Sequence, residues 1–211
     1  MKNQAGLSLV ELMISLLISS ILLLGVIELF NNSNASDHTN SAIARVQESG
    51  RIALEVIGAD ARRAGYQGCS SATTKLTVNG IKFPDQAVTA LNKSVTFNYA
   101  VTDNTGTPFS TNKTCDDKSL YLKSATYSQC ANGTSLCLDG DPILDNTTIA
   151  TIDFGILNGN DISWIESATV TAADLAQARS VRISLTIKNA SDASEQISRN
   201  YSSTYQLRNR F

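Results

Sequence analysis

The sequence predicts an α+β protein in which one long N-terminal α-helix, half apolar and half amphipathic, packs on an antiparallel β-sheet domain. Three observations predict it. From Leu7 to Phe30, seventeen of twenty-four residues are Leu, Ile, Val, Met or Phe. Ile43, Val46, Gly50, Ala53, Ile57, Ala61 and Ala64 then recur at three- and four-residue steps, the repeat of a helix with one buried face. Beyond Tyr66 the chain breaks into short β-branched and aromatic runs between turns rich in Asn, Gly and Asp.

The first element has the dimensions of a membrane span. A helix over 7–30 covers roughly 36 Å at about 1.5 Å per residue, enough for a hydrocarbon core about 30 Å thick. A secretory signal peptide is the alternative, but the leader holds one Lys, Lys2, and no small-x-small cleavage site follows the apolar run cleanly. Lys2 is the only one of seventeen basic residues before Arg45, which favours a cytoplasmic N-terminus with the rest translocated. Inside the span stands Glu11. A carboxylate there costs about 2.5–3.5 kcal/mol on insertion scales, so it needs either a route to the interface or a partner.

The residues around it, Gly6-Leu7-Ser8-Leu9-Val10-Glu11-Leu12-Met13, resemble the processing site of type IV prepilins. That site has a short hydrophilic leader ending in Gly, an apolar residue that becomes the new N-terminus, and a glutamate four residues further on. The resemblance implies the type IV pilin fold, removal of residues 1–6 by a prepilin peptidase cutting between Gly6 and Leu7, and N-methylation of Leu7. Major pilins more often begin with Phe, so Leu7 favours a minor subunit. Glu11 would then pair with the N-terminal amine of a neighbouring subunit, which offsets its desolvation and imposes axial register on a filament.

The second half of the helix covers 31–65, with Gly65 as its left-handed stop. Ser36 or Asp37 is placed to cap a new start after polar Asn31–Asn34, and Ser19-Ser20 and Gly25 are the weak points of the membrane half. Arg51 and Glu55, four apart, support a solvated face.

The remainder, 66–211, reads as one β-rich periplasmic or extracellular domain. Strands are expected over 76–78, 94–101, 120–122, 149–156 and 162–165. The clearest is Val181-Arg182-Ile183-Ser184-Leu185-Thr186-Ile187-Lys188, all four of whose apolar residues share a face, with 201–207 as its partner. Thr171 followed by Asp174 has capping-box logic and opens a short helix to Gln177. Pro84 and Pro108 mark loops.

Gly50-Arg51-Ile52-Ala53-Leu54-Glu55, running to Asp60-Ala61-Arg62-Arg63-Ala64-Gly65-Tyr66-Gln67-Gly68-Cys69, is similar to the helix end of PilW-type minor pilins. Arg199, Tyr201, Thr204 and Leu207-Arg208-Asn209 resemble the closing strand of that group and of the larger type II secretion pseudopilins. The resemblance covers residues 1–69 and 180–211, while the middle matches no motif.

Composition fits a secreted β domain. The chain is 42% apolar and 17% charged, below the roughly 45–50% and 25% of ordinary globular proteins. The difference is made up by 25 Ser, 20 Thr and 17 Asn. Much of the apolar content lies in 7–30, so the β domain is leaner still and relies on its packed helix and its cysteines. Cys69, Cys115, Cys130 and Cys137 all follow the span and read as two disulfides in one of three connectivities, with 130–137 closing a small loop and 69–115 tying down the helix end as one choice. A zinc site competes, but no CxxC is present and His38 is remote.

Other chemistry is sparse. Asp139, Asp141 and Asp145, with Asp116-Asp117 nearby, are weak calcium candidates lacking an EF-hand's spacing and closing Glu, and solvated turn acids are the plainer reading. His38, the single histidine, excludes sites that need two and sits apart from any nucleophile, so no catalytic residue and no cofactor are assigned. A net charge of −2 argues against generic polyanion binding. Arg62 and Arg63 suit an anion or DNA, or simply the helix C-terminus, and Trp164 suits core or interface.

The resemblance therefore implies a non-enzymatic minor pilin, anchored in the inner membrane and then built into a type IV pilus that serves twitching motility, attachment or DNA uptake. Its partners would be other minor pilins, the major pilin, a large tip adhesin and the prepilin peptidase. Alternatives are a type II secretion pseudopilin and a tip module binding DNA, calcium or glycans.

Overall fold

A computed structural model describes residues 8–70, 74–189 and 197–210. The chain divides into two units, 1–44 and 45–211. A single helix, α1, runs without interruption from Leu9 to Arg63, 55 residues.

Ser36 and Asp37 therefore start nothing, and Ser19-Ser20 and Gly25 break nothing. A cap requires a residue in extended backbone whose side chain serves the following amides, whereas these residues are themselves helical. Several hydroxyls instead bond back along the helix: Ser15 Oγ donates to the Leu12 carbonyl at 2.9 Å, Ser20 Oγ to Leu17 at 2.8 Å and Thr39 Oγ1 to Ala35 at 2.9 Å.

In the first unit, the large apolar side chains from Leu9 to Phe30 are exposed. In the second, Val46, Ala53, Ile57, Ala61 and Ala64 are buried, so the stripe read from the sequence is the face that packs. Glu48, Arg51 and Glu55 lie opposite, in exposed ion pairs of 2.8 and 3.8 Å.

Twelve strands follow among the described residues: β1 Leu76–Val78, β2 Ile81–Phe83, β3 Val88–Ala90, β4 Ser94–Val101, β5 Pro108–Lys113, β6 Ser119–Gln129, β7 Leu136–Leu138, β8 Asp141–Leu144, β9 Thr147–Asn158, β10 Asp161–Glu166, β11 Ala178–Lys188 and β12 Ser198–Gln206. Helix α2, Ala172–Gln177, separates β10 from β11. It is opened by the expected Thr171/Asp174 capping box. A 3-10 turn, Arg208–Arg210, follows β12.

Every pairing is antiparallel. β1 and β2 form a ribbon, β10-β9-β11-β12 a four-stranded sheet, and β3-β4-β6-β7-β8 a second sheet with β5 also on β6. Pro108 thus begins a strand rather than marking a loop. It stands opposite Tyr121 in an irregular pairing, where a missing amide proton is tolerated.

Both larger sheets contribute to one core with the helix. Phe97, Tyr99 and Tyr127 come from one sheet, and Ile152, Phe154, Val181, Ile183, Leu185 and Ile187 from the other. A smaller cluster gathers Phe83, Phe109, Leu120 and Leu122, with Phe83 and Phe109 ring centroids 5.5 Å apart.

Two helix glycines set how closely β12 approaches. A Cβ on Gly50 would stand 2.7 Å from the Tyr201 ring, and one on Gly58 would stand 2.3 Å from Tyr205 Cε1. The absence of side chains there lets both tyrosines lie against the helix backbone, where the Tyr205 hydroxyl donates to the Leu54 carbonyl.

Candidate functional site

Two regions carry the chemistry that the sequence singled out. At the N-terminus, Gly6 and Leu7 lie outside the described residues. Glu11 is described: its carboxylate oxygen accepts the Ser8 amide proton at 3.0 Å, satisfying one of the free donors of the helix start and placing negative charge at the positive end of the dipole. Among the described residues α1 alone has a stretch long and apolar enough to cross a membrane, and none of that stretch is buried. Ser15 and Ser20 meet their hydrogen-bonding needs within the helix, so neither hydroxyl is a strong obstacle to an apolar surrounding.

The second region is the C-terminal end of α1. Gly65, at φ +85°, turns the chain out of the helix, its amide bonded to the Asn98 carbonyl at 2.9 Å. One turn earlier, Asp60 takes two hydrogen bonds, from the Tyr99 hydroxyl to Oδ1 and from the Tyr127 hydroxyl to Oδ2, both 2.7 Å. Both tyrosines are buried. Their proton affinities are raised well above the ordinary phenol range, first by burial and then by the adjacent carboxylate. This clamp joins the helix to two neighbouring strands. Sequence pattern does not disclose it, because Tyr99 and Tyr127 are 39 and 67 residues from Asp60.

Arg62 and Arg63 are not spent on the helix carbonyls. Asn209 Nδ2 donates to the carbonyls of Arg62 at 2.9 Å and Arg63 at 3.4 Å, while the guanidinium groups lie over the rings of Tyr205, at 5.9 Å, and Tyr99, at 6.0 Å. They line an open cleft of about 470 Å³ with Tyr66, Thr102, Asp103 and Asn209.

The disulfides are Cys69–Cys115 and Cys130–Cys137, and no described cysteine is free to act as a nucleophile or metal ligand. The first ties the segment after the helix to the β5–β6 turn, and the second links the end of β6 to the middle of β7.

The weak calcium candidates Asp139, Asp141 and Asp145 flank or begin β8. Asp139 Oδ1 accepts the Thr126 amide at 2.7 Å, Asp145 Oδ1 accepts the Ser135 hydroxyl at 2.9 Å, and Asp141 begins β8. These carboxylates organise separate turns, and no group of three His, Cys, Asp or Glu converges on a metal position among the described residues. Asp117 pairs with Lys113 at 2.7 Å on the surface, and His38 is exposed on α1. Trp164 belongs to no core: it is 38% exposed on β10, with the Arg182 guanidinium 4.3 Å from its ring and bonded to Asp153 at 3.1 Å.

Residues 1–27 match the family model of the prokaryotic N-terminal methylation motif. No curated protein and no solved structure matches the chain. The chain thus opens with the methylation signal of type IV pilin-like prepilins, and behind it stands a long helix followed by antiparallel sheets, a layout consistent with the type IV pilin fold.

Proposed function

We propose that the protein is a non-catalytic minor pilin of the PilW type, which helps to initiate or cap a type IV pilus. The observation that carries this reading is the methylation motif running directly into one unbroken helix, apolar and uncovered over Leu9–Phe30 and packed on a β domain from Val46 onward. In this reading residues 1–6 are the leader, 7–30 the membrane and filament-core segment, 31–65 the amphipathic half and 66–211 the exported domain. The N-terminus faces the cytoplasm until assembly. A prepilin peptidase cuts after Gly6 and Leu7 is methylated. Glu11, released from its own Ser8 amide, pairs with the amine of a neighbouring pilin. Other minor pilins, the major pilin and a tip adhesin are the partners, with twitching, attachment or DNA uptake as the output.

The test is co-expression with a prepilin peptidase and mass spectrometry of the mature chain, where methylated Leu7 is the expected N-terminus. Deletion in the native host should remove surface pili. Loss of protein secretion with pili intact would assign the chain to a type II secretion pseudopilus instead. Replacing Glu11 with Ala should abolish incorporation into fibres, and unchanged incorporation would refute its role in register.

A further inference from the structure

We infer that the cleft at the C-terminal end of α1 is a docking site for an acidic segment of a partner protein, with Arg62 and Arg63 receiving its carboxylates. The inference stands apart from the N-terminal processing argued above, since it uses none of those residues.

Two adjacent arginines at a helix C-terminus ordinarily complement the negative end of the dipole. Here that role belongs to Asn209, whose amide caps the carbonyls of both. Nor do the guanidinium groups neutralise a neighbour: the ion pairs among the described residues involve Arg51, Lys113 and Arg182, not these two. Each is instead laid over a tyrosine ring, Arg62 over Tyr205 and Arg63 over Tyr99, and those rings are buried beneath them. At 5.9 and 6.0 Å the rings exert a cation–π attraction that favours holding both guanidinium groups at the cleft they line. The exposed edge of Tyr66 forms a further wall. Arg and Tyr are the residue types that dominate binding energy at protein interfaces.

The charge of the ligand follows from what else faces the cleft. Asp103 lines it, and the helix end contributes partial negative charge. Each guanidinium fork takes one carboxylate as a bidentate pair, so an acidic segment, whose carboxylates are spaced along its chain, can engage both forks without concentrating its charge on one atom group beside Asp103. At about 470 Å³ and open on one side, the cleft has room for one or two side chains rather than a whole domain.

The test uses the full-length protein in neutral detergent at low salt, titrated with an acetylated, amidated tetraglutamate peptide and followed by calorimetry. Saturable binding is expected. Arg62→Gln and Arg63→Gln should each weaken it severalfold and the pair at least tenfold, with the near-ultraviolet circular dichroism unchanged. Arg51→Gln, on the solvated face of the same helix, should bind as the unmodified chain does. Asp103→Asn should bind more tightly. Three results would overturn the assignment: no saturable binding by the unmodified chain, equal binding by the double variant, or tighter binding of inorganic phosphate or oligothymidylate than of the peptide.

Discussion

Replacing Asp60 with Ala removes one carboxylate and strands two buried hydroxyls. Tyr99 and Tyr127 are 0% and 1% exposed, and each spends its proton on a different oxygen of Asp60 at 2.7 Å. An orphaned buried donor costs about 1–3 kcal/mol, so the pair should cost about 4 kcal/mol, a large part of the 5–15 kcal/mol typical of a folded domain. Asp60→Asn retains an acceptor for one tyrosine and turns an N–H toward the other, which should cost about half as much. The decisive variant is the triple change Asp60→Ala, Tyr99→Phe, Tyr127→Phe. It deletes donors and acceptor together, and removing both partners of a buried bond is far less costly than removing one. The assay is urea unfolding of the full-length protein in neutral detergent, followed by near-ultraviolet circular dichroism with the disulfides intact. If Asp60→Ala costs less than about 1 kcal/mol, or the triple variant is no more stable than the single one, the clamp is not what joins helix to sheet.

Gly58→Ala places a methyl group 2.3 Å from Tyr205 Cε1 and should cost about 1–3 kcal/mol, whereas Gly25→Ala meets nothing within 4 Å and should leave the midpoint unchanged or slightly raised. Equal midpoints for the two variants would contradict the close approach of β12. Loop entropy assigns about 4 kcal/mol to Cys69–Cys115, which spans 46 residues, and about 2.4 kcal/mol to Cys130–Cys137, which spans 7. Serine pairs at 69/115 should therefore lower the urea midpoint more than pairs at 130/137. Burial raises the proton affinity of Tyr99, Tyr127 and Tyr205, further supported for the first two by Asp60. Groups whose folded values are raised lend stability that is complete below the unfolded phenol value, about pH 10, and that is lost as pH climbs toward the folded values. Ultraviolet difference absorbance should show these three titrating with unfolding, and all six tyrosines titrating together in an intact fold would contradict it.

What the sequence made legible was whatever depends on period or on neighbours. The stripe Val46, Gly50, Ala53, Ile57, Ala61, Ala64 is visible because helical spacing repeats in one dimension, and 181–188 because alternation does. Thr171 and Asp174 reach each other across three residues. The short strands β3, β7 and β8 carry no period of their own and exist because β4, β6 and β7 respectively offer them an edge. The same limit hid the helix end. Asp60 and the two arginines stand within four residues of one another, but their roles are decided by Tyr99, Tyr127, Tyr205 and Asn209, which only folding brings there. The polar stretch around Ser36 suggested a boundary because Ser, Asp and Asn favour caps over helix interiors, but their penalty of a few tenths of a kcal/mol each is too small to stop a helix whose preceding turn is already formed.

The seating of β12 on α1 gives the fold an order in time. Tyr205 reaches the Leu54 carbonyl across 151 residues, Tyr201 covers Gly50, and Asn209 closes the helix end. Because a chain emerges from its N-terminus, this helix face waits uncovered while nearly everything between it and Ser198 is made. A polypeptide interrupted before that strand would leave Gly50 and Gly58 as an open seam along its first helix, so the earliest element made serves as the gauge of whether the last has arrived.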